Sequence, residues 1–336
     1  MAHVAVLGVG AWGTALAKVL AEKGNDVWMW GRSRDVVETI ELTRRNDRYL
    51  PGFELPLSLR ATDDPERALR GADLVLTAIP SHATRAVLGD LRRYFPARVP
   101  IVSATKGIEN DSLMLMHQVV NDALGPDFLE YYTILSGPSF AKEVALRHPT
   151  VVAVAGRRND VAQAVQERFS SDVFRVYWSD DLVGVELGGA LKNVIAIAAG
   201  AGDGMGFGHN SRAAVITRGL HEIARVAVAK GANPLTVAGL AGMGDLVLTC
   251  TGDLSRNRTV GIELGRGKKL GEILRDLGHV AEGVKTTKSA YDLAMSLQVD
   301  LPITRQVYEV LYHDKSVRDA LTDLMNRPLM QELDFQ

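Results

Sequence analysis

The chain opens with Met1-Ala-His-Val-Ala-Val-Leu-Gly-Val-Gly-Ala-Trp-Gly13, and this stretch decides the fold of its first half. Residues 3–7 form an apolar run of strand length, a glycine-rich turn follows at once, and a helical pattern covers residues 14–23. A strand that leads through Gly-x-Gly-x-x-Gly into a helix is the fingerprint of dinucleotide-binding folds. Gly8 permits the tight turn, Gly10 lets backbone approach a pyrophosphate, and Gly13 lets helix and strand pack closely. We therefore expect a dinucleotide whose phosphates meet the helix N-terminus. An ordinary tight turn is the alternative.

The second predicted strand, residues 26–30, indicates which dinucleotide is bound. An NAD site has an acidic residue near the end of this strand to hold the ribose 2′-hydroxyl. Here the sequence is Gly31-Arg-Ser-Arg34 instead. The guanidiniums of Arg32 and Arg34 suit a 2′-phosphate, because arginine binds phosphate through a planar fork of donors. We expect NADP(H) to be preferred and NAD(H) to be possible. The alternative is a basic loop that only faces solvent.

Composition excludes several classes of protein. The 336 residues are 46% hydrophobic and 23% charged, as in ordinary globular proteins, and a net charge of −2 gives no support for binding nucleic acid or a membrane surface. The single cysteine, Cys250, rules out an internal disulfide, and no Cys/His cluster has zinc spacing, so we expect no metal. The longest apolar stretch, residues 185–201, contains Glu186, Lys192 and Asn193, which argues against a membrane span. With the first strand so close to Met1, we expect no targeting peptide and a cytoplasmic protein.

The two halves of the chain differ in their patterns. In the first half, strand-like runs alternate with helical segments, which predicts a doubly wound parallel sheet covered on both faces. After about residue 180 the segments are helical, with apolar residues at three- and four-residue spacing. We predict a dinucleotide-binding domain over residues 1–180 and a helical substrate-binding and catalytic domain over residues 181–336, with the glycine-rich residues 200–208 as a loop. The predicted strands are 74–79, 100–104, 132–135, 150–155 and 174–178; the predicted helices are 84–94, 160–169, 185–199, 211–230, 233–240, 258–265, 270–277, 284–297 and 304–312.

Three runs of glycine and polar residues follow predicted strands. They are Ile79-Pro-Ser81, Ser103-Ala-Thr-Lys-Gly-Ile-Glu109 and Ser136-Gly-Pro-Ser-Phe-Ala-Lys-Glu143. In a doubly wound fold, ligands bind outside the carboxyl ends of the strands. We expect the three runs to line one cleft that holds the nicotinamide end of the cofactor.

The helical half carries candidates for proton transfer and anion binding. Lys192 lies in an otherwise apolar helix, and burial lowers the pKa of a lysine toward the range suited to proton transfer. A lysine that extends from the helix surface is the alternative. Asp245, among glycines, is placed to orient or pair with such a lysine. Ser255-Arg-Asn257 forms an anion clamp, one fork of donors between neutral ones, although a capped helix start with a solvated arginine fits as well.

Together these motifs resemble the bacterial type of NAD(P)-dependent glycerol-3-phosphate dehydrogenase. The resemblance spans nearly the whole chain, in the family's order. It implies a Rossmann domain followed by a helical domain, reversible hydride transfer between sn-glycerol 3-phosphate and dihydroxyacetone phosphate, a supply of glycerol phosphate for phospholipid synthesis, and a homodimer. The matching runs are Gly8-Val-Gly-Ala-Trp-Gly13, Ser103 to Glu109, Ser136-Gly-Pro-Ser-Phe-Ala141, Leu187-Gly-Gly-Ala-Leu-Lys-Asn-Val194, Gly242-Met-Gly-Asp-Leu246, Ser255-Arg-Asn-Arg258 and Ala281-Glu-Gly283.

The resemblance also implies roles for individual residues. Lys192 would be the general acid and base, Lys106 would bind substrate near its reacting oxygen, and Asp245 would support Lys192. Ala11 stands where the family often has serine. The substrate-binding set is Lys106, Gly137, Ser139, Asn193, Asp245, Ser255, Arg256 and Asn257. The cofactor-binding set is Gly8, Gly10, Ala11, Trp12, Gly13, Arg32, Tyr49, Lys106, Ala141, Arg256, Val280 and Glu282.

Two other functions compete with this interpretation. One is a dehydrogenase of the same two-domain plan that acts on a hydroxy acid or a ketopantoate-like substrate. The Ser255-Arg-Asn257 clamp argues for a phosphate instead. The other is a nucleotide-sensing module without turnover, in which Lys106, Lys192 and Asp245 would have no reason to coexist.

Overall fold

The structure is a computed structural model that describes residues 1–277, 281–329 and 331–332. It divides into two compact units. The first contains Met1–Lys106 and Met114–Glu186, and the second contains Gly107–Leu113 and Leu187–Gln336. The division into functional domains after residue 180 stays a prediction.

The first unit is built on one large sheet whose strand order is that of a dinucleotide-binding fold. Within the described residues the strands are β1 (His3–Leu7), β2 (Asp26–Trp30), β3 (Arg45–Asn46), β4 (Leu50–Glu54), β5 (Leu59–Thr62), β6 (Leu74–Thr77), β7 (Ile101–Ser103), β8 (Tyr132–Ser136), β9 (Thr150–Gly156) and β10 (Phe174–Ser179). The sheet runs β10-β9-β8-β7-β6-β1-β2-β5, and β3 and β4 form a separate antiparallel ribbon. From β1 the chain adds β2 on one side, and from β6 it adds β7 on the other, so the direction of strand addition reverses between β1 and β6. Ligands of such folds bind at this switch point.

The predicted parallel sheet is confirmed for most pairs and wrong for one. β1 pairs in parallel with β2 and β6, whereas β8 pairs antiparallel with β9. The chain between β8 and β9 contains one short helix, Ala141–Ala145. A strand of this length extends about 17 Å, while a helix of five residues advances only about 7.5 Å. Such a helix is too short to return the chain to the start of β8, so β9 runs back beside it.

Helices flank this sheet, and the strands between them are buried. Every residue from Val4 to Leu7 is fully buried, as expected for a strand covered on both faces. The predicted helix 84–94 is observed as α4 and a 3₁₀ turn, Arg92–Tyr94. The helices of this unit are α1 (Ala11–Glu22), α2 (Arg34–Thr43), α3 (Pro65–Leu69), α4 (Ser81–Leu91), α5 (Met116–Leu124), α6 (Pro126–Leu129), α7 (Ala141–Ala145) and α8 (Asn159–Phe169).

The second unit is helical, and its longest helix corrects one prediction. α9 (Leu182–Gly204) begins in the first unit and continues through residues 200–204, which were predicted as part of a loop. A π-helical turn, Leu240–Gly244, leads directly into α12. The remaining helices are α10 (His209–Ala229), α11 (Pro234–Val237), α12 (Asp245–Thr251), α13 (Arg256–Gly265), α14 (Leu270–Leu277), α15 (Glu282–Leu297), α16 (Pro302–Tyr312) and α17 (Val317–Met325). α17 was not predicted.

The glycines of α9 are explained by its crossing with α13. A Cβ added to Gly200 would lie 2.1 Å from the Arg258 carbonyl oxygen, and one added to Gly204 would lie 2.1 Å from that of Ile262. The contact is reciprocal, because a Cβ on Gly261 would lie 2.1 Å from the carbonyl oxygen of Ile197. Backbone therefore packs on backbone, and no side chain fits between the two helices. The glycines that suggested a loop are needed for this close helix packing.

We expect Gly261→Ala to lower the free energy of unfolding by roughly 2–3 kcal/mol, because α9 and α13 must move apart to admit the methyl group. Urea denaturation measures the change. Gly271→Ala is the control, because a Cβ on Gly271 in α14 would meet nothing within 4 Å. The control should be neutral or slightly stabilising, since alanine is the better helix former. Equal stability of the two variants would contradict the packing argument.

By length and composition alone, two segments of the described chain are apolar enough to cross a membrane. They are Leu182–Gly204, whose most apolar window is 89% buried inside the protein, and residues from Pro234 to Thr251, whose window is 39% buried. α9 is 23 residues long, so the apolar stretch is longer than the sequence suggested. Core helices of soluble proteins pass the same test, so this is weak support for a membrane span.

Candidate active site

The glycine-rich turn has the geometry that its sequence predicts. Gly8 has φ +123°, and a Cβ there would lie 2.5 Å from the carbonyl oxygen of Ala78, which follows the adjacent strand β6. A Cβ on Gly13 would lie 2.3 Å from the Gly8 carbonyl oxygen. At Gly10, in contrast, a Cβ would meet nothing within 4 Å. Gly8 and Gly13 are thus required by packing. Gly10 borders open space and is the N-cap of α1, so no side chain caps the first N–H groups of this helix. An anion can approach the backbone N–H groups there.

Four side chains implied for cofactor binding share one environment. Each is apolar, partly buried, and packed against the hydrophobic core of the first unit. The indole Nε1 of one of them, Trp12, is buried without a hydrogen-bond partner in the described part of the chain. A buried donor without an acceptor is costly, and a ligand would remove that cost. The four are Ala11, Trp12, Tyr49 and Ala141.

The basic residues after β2 lie where the sequence placed them. Arg32 is separated from the end of β2 by Gly31, and Ser33 is the N-cap of α2. The Arg32 guanidinium lies 3.2 Å from the Asp90 carboxylate, and both side chains are more than half exposed. An ion pair this exposed contributes little to stability. Arg32 can therefore turn toward a phosphate at small cost.

The three runs that follow β6, β7 and β8 meet, as predicted. The Thr105 hydroxyl donates to the Ile79 carbonyl oxygen at 2.7 Å. The Lys106 ammonium donates to the Gly137 carbonyl oxygen at 3.1 Å, and the Ser139 hydroxyl donates to the same oxygen at 2.9 Å. This edge of the sheet therefore gathers the Lys106 ammonium, the hydroxyls of Thr105 and Ser139, and Gly137, whose φ is +144°.

A lysine, a carboxylate and a hydroxyl form a buried polar cluster in the second unit. Lys192 Nζ on α9 donates to Asp245 Oδ1 at 2.5 Å and to Thr249 Oγ1 at 2.8 Å. Thr249 in turn donates to the Asp245 main-chain oxygen at 2.6 Å. All three residues are buried, so Lys192 does not extend from the surface of the protein. Thr249 was not predicted as a site residue, although it lies one helical turn after Asp245 on α12.

The predicted anion clamp occupies the first turn of α13. Ser255 is the N-cap, and its Oγ accepts from the Arg258 backbone N–H at 3.2 Å. Asn257 Oδ1 accepts from the Gly283 N–H at 3.0 Å. Arg256 differs from both, because it is exposed and its guanidinium donates to no group in the described residues. The clamp thus combines two anchored side chains with one arginine that is available to a ligand.

The start of α15 adjoins this clamp. A Cβ on Gly283 would lie 2.7 Å from Asn257 Oδ1 and 2.9 Å from the carbonyl oxygen of Asn193, the residue after Lys192. Glu282 is the first residue of α15. Val280 lies outside the described residues.

The lone cysteine is inert at neutral pH. Cys250 follows Thr249 on α12 and is buried. Burial raises the pKa of its thiol to about 12, opposed in part by the positive charge of Lys192. A thiol of this pKa stays protonated and is a poor nucleophile. Within the described residues no group of three or more His, Cys, Asp or Glu side chains could hold a metal ion.

Sequence patterns missed one buried polar network in the first unit. Glu186 Oε1 accepts from the Tyr132 hydroxyl and from the His117 backbone N–H, both at 2.9 Å. Glu186 Oε2 lies 2.6 Å from His117 Nδ1. Burial, and secondarily the Glu186 charge, raise the pKa of Tyr132 well above its ordinary value, so the phenol remains a donor. The network fixes α5 and the start of α9 against β8.

The chain is similar to known proteins over nearly its whole length. Sequence profiles of NAD-dependent glycerol-3-phosphate dehydrogenase match the chain twice, the N-terminus over residues 3–162 and the C-terminus over residues 181–322. A glycerol-3-phosphate dehydrogenase [NAD(P)+] of Myxococcus xanthus is 55% identical over 328 residues, which is 98% of each chain. The crystal structure of glycerol-3-phosphate dehydrogenase from Coxiella burnetii has a TM-score of 0.92 at 40% identity, covering 96% of this chain and 98% of that one.

A more distant likeness is limited to the fold. A ketopantoate reductase of the PanE/ApbA family from Ralstonia eutropha has a TM-score of 0.58 at 17% identity, covering 96% of this chain and 99% of that one. At this identity the likeness concerns the fold alone.

Proposed function

The chain belongs to the NAD-dependent glycerol-3-phosphate dehydrogenase family, and we propose that it transfers a hydride reversibly between sn-glycerol 3-phosphate and dihydroxyacetone phosphate. The observation that carries this proposal is that the second unit contains both a buried ammonium and an exposed guanidinium that can bind a ligand. Lys192 is held by Asp245 and Thr249, while Arg256 at the start of α13 is exposed. A proton donor for a carbonyl oxygen and a cation for a phosphate are what this substrate requires.

The cofactor, when bound, supplies the hydride, and the protein supplies binding, orientation and the proton. In the direction of reduction, the Lys192 ammonium donates a proton to the substrate oxygen as the carbonyl carbon receives hydride. In oxidation, neutral Lys192 removes the proton from the hydroxyl group. The Asp245 carboxylate and the Thr249 hydroxyl fix the direction of Nζ. Lys106 is proposed to stabilise negative charge on the reacting oxygen.

The substrate phosphate is assigned to the first turn of α13. Arg256 would bind it through a charge-assisted pair of hydrogen bonds, which is stronger and more directional than a contact from a neutral donor. Neutral groups would complete its coordination. These are Ser255 and Asn257, together with Asn193 on α9; Gly137 and Ser139 are proposed as substrate-binding residues on the family resemblance alone.

The cofactor is assigned to the glycine-rich turn and its surroundings. The open space at Gly10 and the unpartnered Trp12 Nε1 fit a bound dinucleotide. Tyr49, Ala141 and Lys106 are further proposed contacts in the first unit; Arg256, Val280 and Glu282 are proposed on the family resemblance alone. Comparisons support a nicotinamide cofactor. The preference for NADP(H) over NAD(H) is part of our proposal and depends on Arg32.

We expect Arg32→Ala to raise the Michaelis constant for NADPH about tenfold, because one charge-assisted bond to the 2′-phosphate is lost. The Michaelis constant for NADH should stay within about twofold, because NADH has no group there. Initial rates with each cofactor give both constants. Arg70→Ala, which removes another exposed charge from the same unit, is the control. An unchanged NADPH-to-NADH ratio in Arg32→Ala would mean that the basic loop only faces solvent.

One assay tests the function itself. Purified protein should oxidise NADPH when dihydroxyacetone phosphate is added and should oxidise it much more slowly with ketopantoate or a 2-keto acid. Turnover with a keto acid alone would favour the hydroxy-acid interpretation. Binding of NADPH without turnover of any of these substrates would favour a nucleotide-sensing module.

The cellular setting belongs to the same proposal. We propose that the protein supplies glycerol phosphate for phospholipid synthesis, in the cytoplasm and as a homodimer.

A further inference from the structure

Arg258, the second arginine of the Ser255-Arg-Asn-Arg258 run, is held by ion pairs that Arg256 lacks among the residues that the structure describes. Arg258 is largely buried, and its Nε and Nη2 each lie 2.9 Å from Asp203 Oδ2 on α9. Asp203 Oδ1 accepts from Arg212 Nε at 2.9 Å and from Arg212 Nη2 at 2.7 Å. Asp203 therefore joins α10 and α13 through two forked interactions, and its own side chain is only 10% exposed.

Arg258 also determines the shape of the first turn of α13. Its backbone N–H donates to Ser255 Oγ, which is the N-cap bond of the helix. Its side chain anchors the turn to α9 through Asp203. Arg256 lies two residues earlier, in the same turn. Arg258 anchors that turn through its backbone N–H, which bonds to Ser255, and through its guanidinium, which bonds to Asp203.

The anchor lies in the helix crossing that carries the proton donor. Gly200 on α9 contacts the Arg258 carbonyl group, and Gly261 on α13 contacts that of Ile197. α9 also carries Lys192, two to three turns before this crossing. A rigid crossing therefore sets the spacing between the lysine and the turn that bears Arg256.

We propose that Arg258 and Asp203 are positioning residues for the substrate phosphate: their buried ion pair holds the first turn of α13 so that Arg256 meets the phosphate while the substrate oxygen meets Lys192. This inference rests on the proposed function. Arg258 is not itself a ligand of the phosphate, because Asp203 and Asp253 accept from its guanidinium. The pair acts through geometry, and a small displacement of a binding group is enough to weaken catalysis.

The test compares dihydroxyacetone phosphate with dihydroxyacetone, which has the same carbonyl group and no phosphate. Arg258→Lys keeps the charge but cannot form the planar fork to Asp203. We expect its Michaelis constant for dihydroxyacetone phosphate to rise about tenfold, while kcat/KM for dihydroxyacetone and the Michaelis constant for NADPH stay within about twofold. Asp203→Asn, which retains the volume of the side chain, should show the same selective loss.

Asp253→Asn is the matched control, because Asp253 also binds Arg258 but is 97% exposed. It should leave all constants within about twofold, as exposed ion pairs contribute little. The inference is overturned if Arg258→Lys and Asp203→Asn lose activity equally on both substrates, which marks general damage to the fold, or if neither variant changes the constant for dihydroxyacetone phosphate. Wild-type protein that fails to reduce dihydroxyacetone phosphate would instead refute the proposed function, so the two failures are distinguishable.

Discussion

Replacing Lys192 by alanine should lower kcat for dihydroxyacetone phosphate by about 10³-fold, within the range typical of a lost general acid or base. The Michaelis constant for this substrate should change by no more than about threefold, because Lys192 lies outside the first turn of α13, which we propose to bind the phosphate. Steady-state rates with saturating NADPH separate the two constants. This loss of turnover is the largest effect that we predict.

The same substitution should also destabilise the protein, and the two effects can be separated. Without Lys192 the buried Asp245 carboxylate loses the ammonium 2.5 Å away. Leaving one charge of a buried pair uncompensated costs roughly 3–5 kcal/mol. The double variant Lys192→Ala/Asp245→Asn removes both charges and should recover much of that loss in urea denaturation. Its kcat should remain low. If the double variant recovered turnover along with stability, Lys192 would be a structural residue rather than the proton donor.

Local sequence was sufficient to predict the geometry of the glycine-rich turn. Residues 3–13 are contiguous, and the strand, the tight turn and the helix start each depend on neighbours within a few positions. Gly8 and Gly13 are close-packed and Gly10 is open, as the motif implies. The sequence pattern therefore predicts the local backbone geometry where that geometry depends only on neighbouring residues.

Long-range contacts could not be predicted in the same way. Lys192 and Asp245 were both identified as candidates, but their hydrogen bond joins residues 53 positions apart. Thr249 was not predicted, because a threonine in an apolar helix has no distinguishing pattern unless its hydrogen-bond partner is known. Glu186 was noted as a break in an apolar stretch, whereas it accepts from Tyr132 and His117. A polar residue inside an apolar helix indicates that a buried hydrogen-bond partner exists, but the sequence does not show which residue that partner is.

The glycines at 200 and 204 show why the loop prediction was wrong. Glycine weakens an isolated helix by roughly 1 kcal/mol relative to alanine, so several in succession resemble a loop. The compensating contact is with α13, whose own glycines at 261 and 265 are far away in the sequence. The antiparallel pairing of β9 was missed for a related reason, because a buried strand has the same apolar pattern in either direction.

Arg256→Ala should raise the Michaelis constant for dihydroxyacetone phosphate roughly 100-fold, because a bidentate charge-assisted contact contributes about 1.5–3 kcal/mol. Part of this binding energy also holds the carbonyl group in place, so kcat should fall somewhat as well. Activity on dihydroxyacetone should be unchanged, since that substrate has no phosphate. Stability should also be unchanged, because Arg256 is exposed and donates to no group in the described residues.

The control is Arg266→Ala, which removes an equal charge just after the end of the same helix. Arg266 is 62% exposed and pairs with Glu263, so its loss should leave every kinetic constant within about twofold. The two variants change the net charge equally and differ only in which end of α13 they alter. If both raised the Michaelis constant alike, the effect would be a general electrostatic one that added salt abolishes. If Arg256→Ala reduced dihydroxyacetone phosphate as well as the wild type does, the phosphate would bind elsewhere, and the first turn of α13 would be a capped helix start with a solvated arginine.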